Sequence, residues 1–210
     1  VAKNSVKWAY EMKNWQYFLG LSAAVYSLSS SVQISAQAPV PPPVEQSTAD
    51  CARPTYASDQ LVCDDAELRV LDQQLEALLK QLTPIIPGAF QESDEQWFKR
   101  RSRCAFEVEH KKCLSEAYTD RFAVIETASS YTAPAKVAKC KDLGKIGRVT
   151  LGKASDGNMV FRKTVSNELV GVATAKSKYN VWKPALSYSQ KGQLYDFQSI
   201  DGTVFSCKLK

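Results

Sequence analysis

Histidine is almost missing from this 210-residue chain. The one example, His110, stands among Glu109, Lys111 and Lys112 and reads as a solvated residue rather than a base or a ligand. A Ser-His-Asp arrangement therefore has no other imidazole to draw on. No Cys-x-x-Cys pair is present, and the single histidine cannot complete a Cys/His set, which removes the usual zinc spacing. No glycine-rich phosphate loop is present either. Asp64, Asp65 and Glu67 form a carboxylate cluster that could pair as acids, and it falls in the first turns of a predicted helix. There the helix dipole favours negative charge without any acid–base role. The expectation is a protein that is not an enzyme and uses no cofactor or metal.

What the chain has is cysteine and an uneven charge. Its six cysteines fall as four (Cys51, Cys63, Cys104, Cys113) and then two (Cys140, Cys207). An even, clustered set behind an export signal reads as disulfides. The net charge of +5 hides a split. From Cys51 to Ser130, 10 Lys/Arg stand against 14 Asp/Glu; from Tyr131 to Lys210, 14 stand against 5. An acidic half followed by a basic half points to two domains with different electrostatic partners.

The first 38 residues read as a targeting segment. Tyr17 to Leu28 is an apolar stretch of about twelve residues, too short to span a bilayer but suited to a signal-peptide core. A start at Met12 makes Met12-Lys13-Asn14-Trp15-Gln16 a compact positive leader, with residues 1–11 an upstream extension. Cleavage is expected after Ala36 or Ala38, leaving no stable membrane span. Ala49-Asp50 precedes Cys51 where a lipobox would carry small apolar residues, so the exported protein is expected to be free of a lipid anchor. Residues 39–49 form a linker whose Pro41-Pro42-Pro43 favours extended geometry. Export implies a periplasmic or secreted location and excludes nucleic acid as a partner.

Helical periodicity begins at Ser58. Leu68, Leu71, Leu75, Leu78, Leu79 and Leu82 recur at three- and four-residue steps and define one apolar face. Pro84 and Pro87-Gly88 stop that helix. Ser93-Asp94-Glu95-Gln96 has capping-box form and opens a second, which carries Trp97, Arg101 and Cys104 on one face. A third run follows Cys113 through Leu114, Ala117, Tyr118, Arg121, Phe122 and Ile125. Residues 50–127 are thus expected to form a disulfide-tied helical hairpin or three-helix unit. Four cysteines allow three connectivities. Antiparallel helices bring the start of the first near the end of the second, which favours bridges joining Cys51 and Cys63 to Cys104 and Cys113, in either arrangement.

After a linker at 128–135 the period changes to two. Short strands are expected at 148–151, 159–162, 169–173, 179–182, 194–197 and 204–207. Asp156-Gly157-Asn158, Lys191-Gly192 and Asp201-Gly202 supply turns between them. Residues 136–210 therefore read as a small antiparallel β-barrel with Cys140 tied to Cys207. The whole is α+β in two domains.

The helical half resembles the LprI-type lysozyme-inhibitor family. The likeness rests on Asp50-Cys51, on Cys63 followed by Leu68, Leu71-Asp72 and Leu75, and on Gln96-Trp97-Phe98 with Arg101 and Cys104 behind it. It closes with Cys113-Leu114 followed by Tyr118 and Arg121. The resemblance implies an exported helical protein and, for some members, inhibition of c-type lysozyme. It implies a structural role for Leu71, Asp72, Trp97, Arg101, Leu114, Tyr118 and Arg121, with the two arginines pairing with acids such as Asp72. The β half is similar to the MliC/PliC-type inhibitors of c-type lysozyme. Cys140 and Cys207 match the first and last cysteines of that family, and Tyr179-Asn180-Val181-Trp182 matches its Tyr-x-x-Trp, with Lys183 following. Gly171 matches the glycine of a Ser-Gly pair whose serine is replaced here by Val170, and Pro184 displaces the Lys-Gly that follows the tryptophan.

Together these readings predict an exported inhibitor of c-type lysozyme that protects the cell wall by non-covalent binding. Such an inhibitor needs complementary shape and charge more than reactive groups. The candidate contacts are Asp64 and Glu67 in the acidic half, and Tyr179, Trp182 and Lys183 in the basic half. The alternative is a non-inhibitory envelope module whose basic barrel binds peptidoglycan, another anionic glycan or lipid headgroups.

Overall fold

The structure of the chain, a computed structural model, describes residues 46–81, 88–131, 135–143, 146 and 148–209. The expected signal segment and the first residues of the proline-rich linker lie outside the described residues. Among the described residues four helices come first: α1 (Ala57–Asp64), α2 (Ala66–Gln81), α3 (Asp94–Arg101) and α4 (His110–Ser130), with a 3-10 turn at Ser102–Phe106. Seven strands follow: β1 (Lys136–Lys141), β2 (Val149–Lys153), β3 (Met159–Lys163), β4 (Leu169–Ala175), β5 (Leu186–Lys191), β6 (Leu194–Ser199) and β7 (Val204–Leu209). The strands close into a barrel in sequence order. Helices followed by a small barrel is the order the sequence predicts.

The single first helix expected from Ser58 is two helices. Asp65 adopts an extended conformation between them. Its Oδ1 accepts hydrogen bonds from the amides of Glu67 and Leu68 at 3.0 and 3.1 Å. A carboxylate that takes up the first free amides of a helix is an N-cap, so the acids at 64–67 mark a new start rather than the interior of one long helix. α2 then buries Leu68 and Leu75, with Leu71, Leu78 and Leu79 partly covered. α3 opens on the predicted capping box: Ser93 Oγ accepts from the Gln96 amide at 3.2 Å, and Gln96 Oε1 accepts from the Ser93 amide at 3.0 Å.

The three bridges are Cys51–Cys63, Cys104–Cys113 and Cys140–Cys207. The first two overturn the expected long-range pairing. α1 does pack against the 3-10 turn, so the two regions meet as antiparallel geometry requires. Yet each bridge closes its own reversal. The chain before α1 folds back on that short helix and brings Cys51 within 5.5 Å (Cα–Cα) of Cys63. Cys104 lies in the 3-10 turn that leads into α4, where Cys113 waits one turn in. Cys140 and Cys207 sit directly opposite each other on β1 and β7 and lock the closing seam of the barrel, as predicted.

Every strand pair in the barrel is antiparallel except β4–β5. The hairpin turns use glycine where the backbone enters left-handed space, at Gly157, Gly192 and Gly202, as their Asp/Lys-Gly signals predict. β1 and β5 were not among the expected strands, while residues 179–182 are not a strand. A parallel pair cannot be joined by a tight turn, so the chain from 176 to 185 must run back along the barrel before β5 begins. That return crossing consumes the Tyr-x-x-Trp segment.

The helical and β parts are pressed together rather than strung on a linker, and α4 extends through residues 128–130 of the expected connection. From the α2–α3 connection, the Phe90 amide donates to Val170 O at 2.9 Å, and its ring stacks on Phe205 at 4.9 Å. Phe205 and Phe197 stack at 5.0 Å, and Phe161 meets Phe197 edge-on at 4.4 Å. Phe90 thus joins the barrel's own aromatic core. Gly88 makes that approach possible, since a Cβ there would lie 2.3 Å from Val170 O. Gly171 faces Phe90, where an added Cβ would meet its Cβ at 3.1 Å.

Candidate functional site

The motif residues of the helical unit assemble a buried polar knot. Arg101 has no exposed side-chain surface; its Nη2 donates to Asp59 Oδ1 at 2.8 Å and its Nη1 to Tyr118 Oη at 2.6 Å. Tyr118 Oη in turn donates to Asp72 Oδ1 at 2.6 Å, and Asp72 lies 3.9 Å from Arg101. Both Asp72 oxygens also accept from the Ala49 amide at 3.1 Å. Burial pushes the Asp72 carboxyl above the ordinary carboxylate range, against hydrogen bonds from Tyr118 and Ala49 that pull it down. Trp97 and Leu114 pack around the knot, and Arg121 pairs with Asp94. The knot joins all four helices, through Asp59 of α1, Asp72 of α2, Arg101 of α3 and Tyr118 of α4, and exposes almost none of itself.

Trp182 is also buried, at 4% exposure, and belongs to the core of the helical unit. Its Nε1 donates to Asp120 Oδ2 at 3.0 Å. The amides of Val181 and Trp182 donate to Glu116 Oε2 at 2.8 and 3.0 Å. The Arg100 guanidinium lies 3.8 Å above the indole ring, holds Glu92 through two nitrogens and donates to Lys183 O. Trp182, proposed from sequence as an external contact, instead clamps the return crossing onto α4. Tyr179 is 86% exposed at the outer edge of the crossing. Lys183 stays at the surface, its Nζ donating to Asn180 O at 2.8 Å. Beside it opens a cleft of about 310 Å³ lined by Lys176, Ser177, Asn180, Lys183, Gln198 and Ser199, among others.

Asp120 accepts from Trp182 and from Thr174 Oγ1, the latter at 2.9 Å. Burial raises its carboxyl pKa, and the two hydrogen bonds oppose the rise. A carboxyl raised on folding stabilises the fold fully below its unfolded pKa and loses that contribution as pH rises through the folded value. D120N cannot titrate. The unfolding temperature of the wild type relative to D120N is therefore expected to increase from about pH 7 to about pH 4. Thermal melts of both proteins across that range check it; a constant difference would remove Asp120 from the pH dependence.

Asp64 and Glu67 are exposed at the α1–α2 junction. Lys111, in the first turn of α4, reaches Asp65 and Glu67 at 2.8 Å each. Its hydrogen bond holds Asp65 below the usual carboxylate range, with the Leu68 amide assisting. The structure thereby brings this acidic junction beside the Cys104–Cys113 loop. That loop displays two apolar side chains, Phe106 at 85% exposure and Val108 at 97%. Sequence reading passed over both. The available signal is their position: two large apolar residues inside a short, cysteine-bounded run rich in charge. Tyr179–Lys183 therefore lie on the crossing and Asp64–Glu67 at the α1–α2 junction.

Among the described residues, no group of three or more His, Cys, Asp or Glu could hold a metal ion, and no helix is long and apolar enough to cross a membrane. A fold stapled by three disulfides belongs to an oxidising, extracytoplasmic compartment. The molecule is therefore an extracytoplasmic α+β protein built from a cysteine-tied helical unit and a closed barrel. The chain is similar to lipoprotein LprI of Mycobacterium bovis (strain ATCC BAA-935 / AF2122/97) and of Mycobacterium tuberculosis (strain ATCC 25618 / H37Rv). The identity is 30% over 112 residues, which is 50% of this chain and 57% of each relative. The chain thus spans little more than half the length of these relatives. No protein-family model matches the chain, and no solved structure matches it.

Proposed function

We propose that the protein is a periplasmic or secreted, non-covalent inhibitor of c-type lysozyme. The observation that carries the reading is the rigid, four-cysteine helical unit, LprI-like in its motif, which holds Asp64, Asp65 and Glu67 together on an exposed end. Lysozyme is basic, and an acidic face steers a basic partner and raises its association rate. The similarity to LprI lipoproteins and the internal placement of Trp97, Arg101 and Tyr118 support this, because the motif then serves as scaffold and leaves the surface free to bind.

Turbidity clearing of bacterial cell walls tests the reading. The chain from residue 39 onward, at several-fold molar excess, is expected to slow clearing by c-type lysozyme, and to lose that effect as salt screens the acidic face. Undiminished clearing at low salt would reject inhibition. A second reading has its own observation. The cleft beside Lys176 and Lys183, rimmed by Ser177, Asn180 and Gln198, has the cationic and amide groups that an anionic glycan requires. Under that reading the protein sediments with peptidoglycan in a salt-sensitive manner and leaves clearing unchanged. The MliC/PliC likeness of the barrel leaves Lys183 as its one basic contact, and that residue lines the same cleft.

A further inference from the structure

The Cys104–Cys113 loop is built like a binding tip. Its disulfide joins cysteines at a sequence separation of 9. At its start the Glu107 amide donates to Cys104 O at 3.1 Å, and at its end the Cys113 amide donates to Glu109 O at 2.9 Å. Glu107 is extended, so Phe106 and Val108, two residues apart, can share a side while Glu107 turns from it. Folding ordinarily hides such side chains. Here both stand in solvent on a backbone held at both ends, so docking them costs little ordering entropy.

The surroundings select the partner. Lys111 draws Asp65 and Glu67 to the base of the loop. With Asp64, Glu107 and Glu109, five carboxylates gather there against Arg103, Lys111 and Lys112. A surplus of carboxylates opposes anionic headgroups and favours a basic protein. An exposed apolar pair with an acidic base fits a cleft with a basic rim.

We infer that this loop is the segment that enters the substrate cleft of a basic wall hydrolase, with Phe106 and Val108 as apolar anchors and the acids of the α1–α2 junction meeting the rim. The inference rests on the inhibitor reading and adds the surface that performs it. Val165 provides a matched control. It is 99% exposed, but it stands alone on the β3–β4 connection beside the Lys163–Glu168 pair.

The test compares the wild type, F106S/V108S and V165S for binding to c-type lysozyme by calorimetry. Sedimentation with phosphatidylglycerol vesicles runs alongside, and circular dichroism confirms equal folding. F106S/V108S is expected to bind about tenfold or more weakly, as loss of central anchors does, while V165S matches the wild type. Wild-type affinity in F106S/V108S would overturn the loop assignment and leave inhibition standing. Absence of wild-type binding would sink both. Vesicle sedimentation lost in F106S/V108S, with lysozyme binding unchanged, would make the loop a membrane anchor and overturn the inference.

Discussion

Replacing Arg101 with methionine is expected to destabilise the folded chain by about 3–5 kcal/mol, the usual cost of removing one partner from a buried ion pair. The methylene stem is approximately replaced, so the loss is electrostatic. Asp59, with no exposed side-chain surface, would lose its 2.8 Å partner, and Tyr118 would lose the donor that completes its hydrogen bonds. Asp72, already pushed toward protonation by burial, would lose its nearest cation. Urea denaturation checks the size of the effect. R101M with D59N should recover part of the loss, because the double variant no longer buries an unpaired carboxylate at Asp59. Equal midpoints for R101M and the wild type would show that the knot contributes nothing net.

How this knot was legible in the sequence is instructive. Trp97, Arg101 and Cys104 fall on one helical face by spacing alone, while an acid partner such as Asp72 for the arginines comes only as an implication of the LprI resemblance. Asp59 was hidden because a carboxylate in a first helical turn already has a local explanation in the helix dipole. The break at Asp65 was hidden for the same reason: dipole acids and an N-cap acid look alike until the backbone conformation is known. Strand periodicity found five of the seven strands. It missed β1, whose Lys-Val-Ala-Lys-Cys-Lys buries little beyond Ala138, and it exchanged β5 for the Tyr179–Trp182 segment. That segment alternates like a strand, but its tryptophan faces α4, a contact more than 60 residues away in sequence that no local pattern records. The local disulfides were equally invisible, because the expected pairing assumed one unbroken first helix, whereas the chain before α1 folds back on it and Asp65 ends it.

Trp182 is where the difference matters most for function, and W182A is the second large-effect substitution. Truncating a large, buried aromatic side chain is expected to cost about 3–5 kcal/mol. It would also strip Asp120 of one donor and Arg100 of its ring. Because the residue joins two units, the loss should appear in both helical and β signals when far-UV and near-UV circular dichroism are followed through urea unfolding. A shift confined to one signal would show that the units unfold independently and that the crossing is not their clamp. The same variant separates scaffold from contact. If Trp182 met lysozyme directly, W182A would weaken binding even under conditions where it is fully folded. If Trp182 only holds the crossing against α4, binding through the helical tip persists at temperatures below its transition, since the Cys104–Cys113 loop and the Lys111 bridges remain intact. The tryptophan of the Tyr-x-x-Trp segment is then an internal support, and a surface search for the inhibitory contact belongs at the acid-flanked Cys104–Cys113 loop of the helical unit.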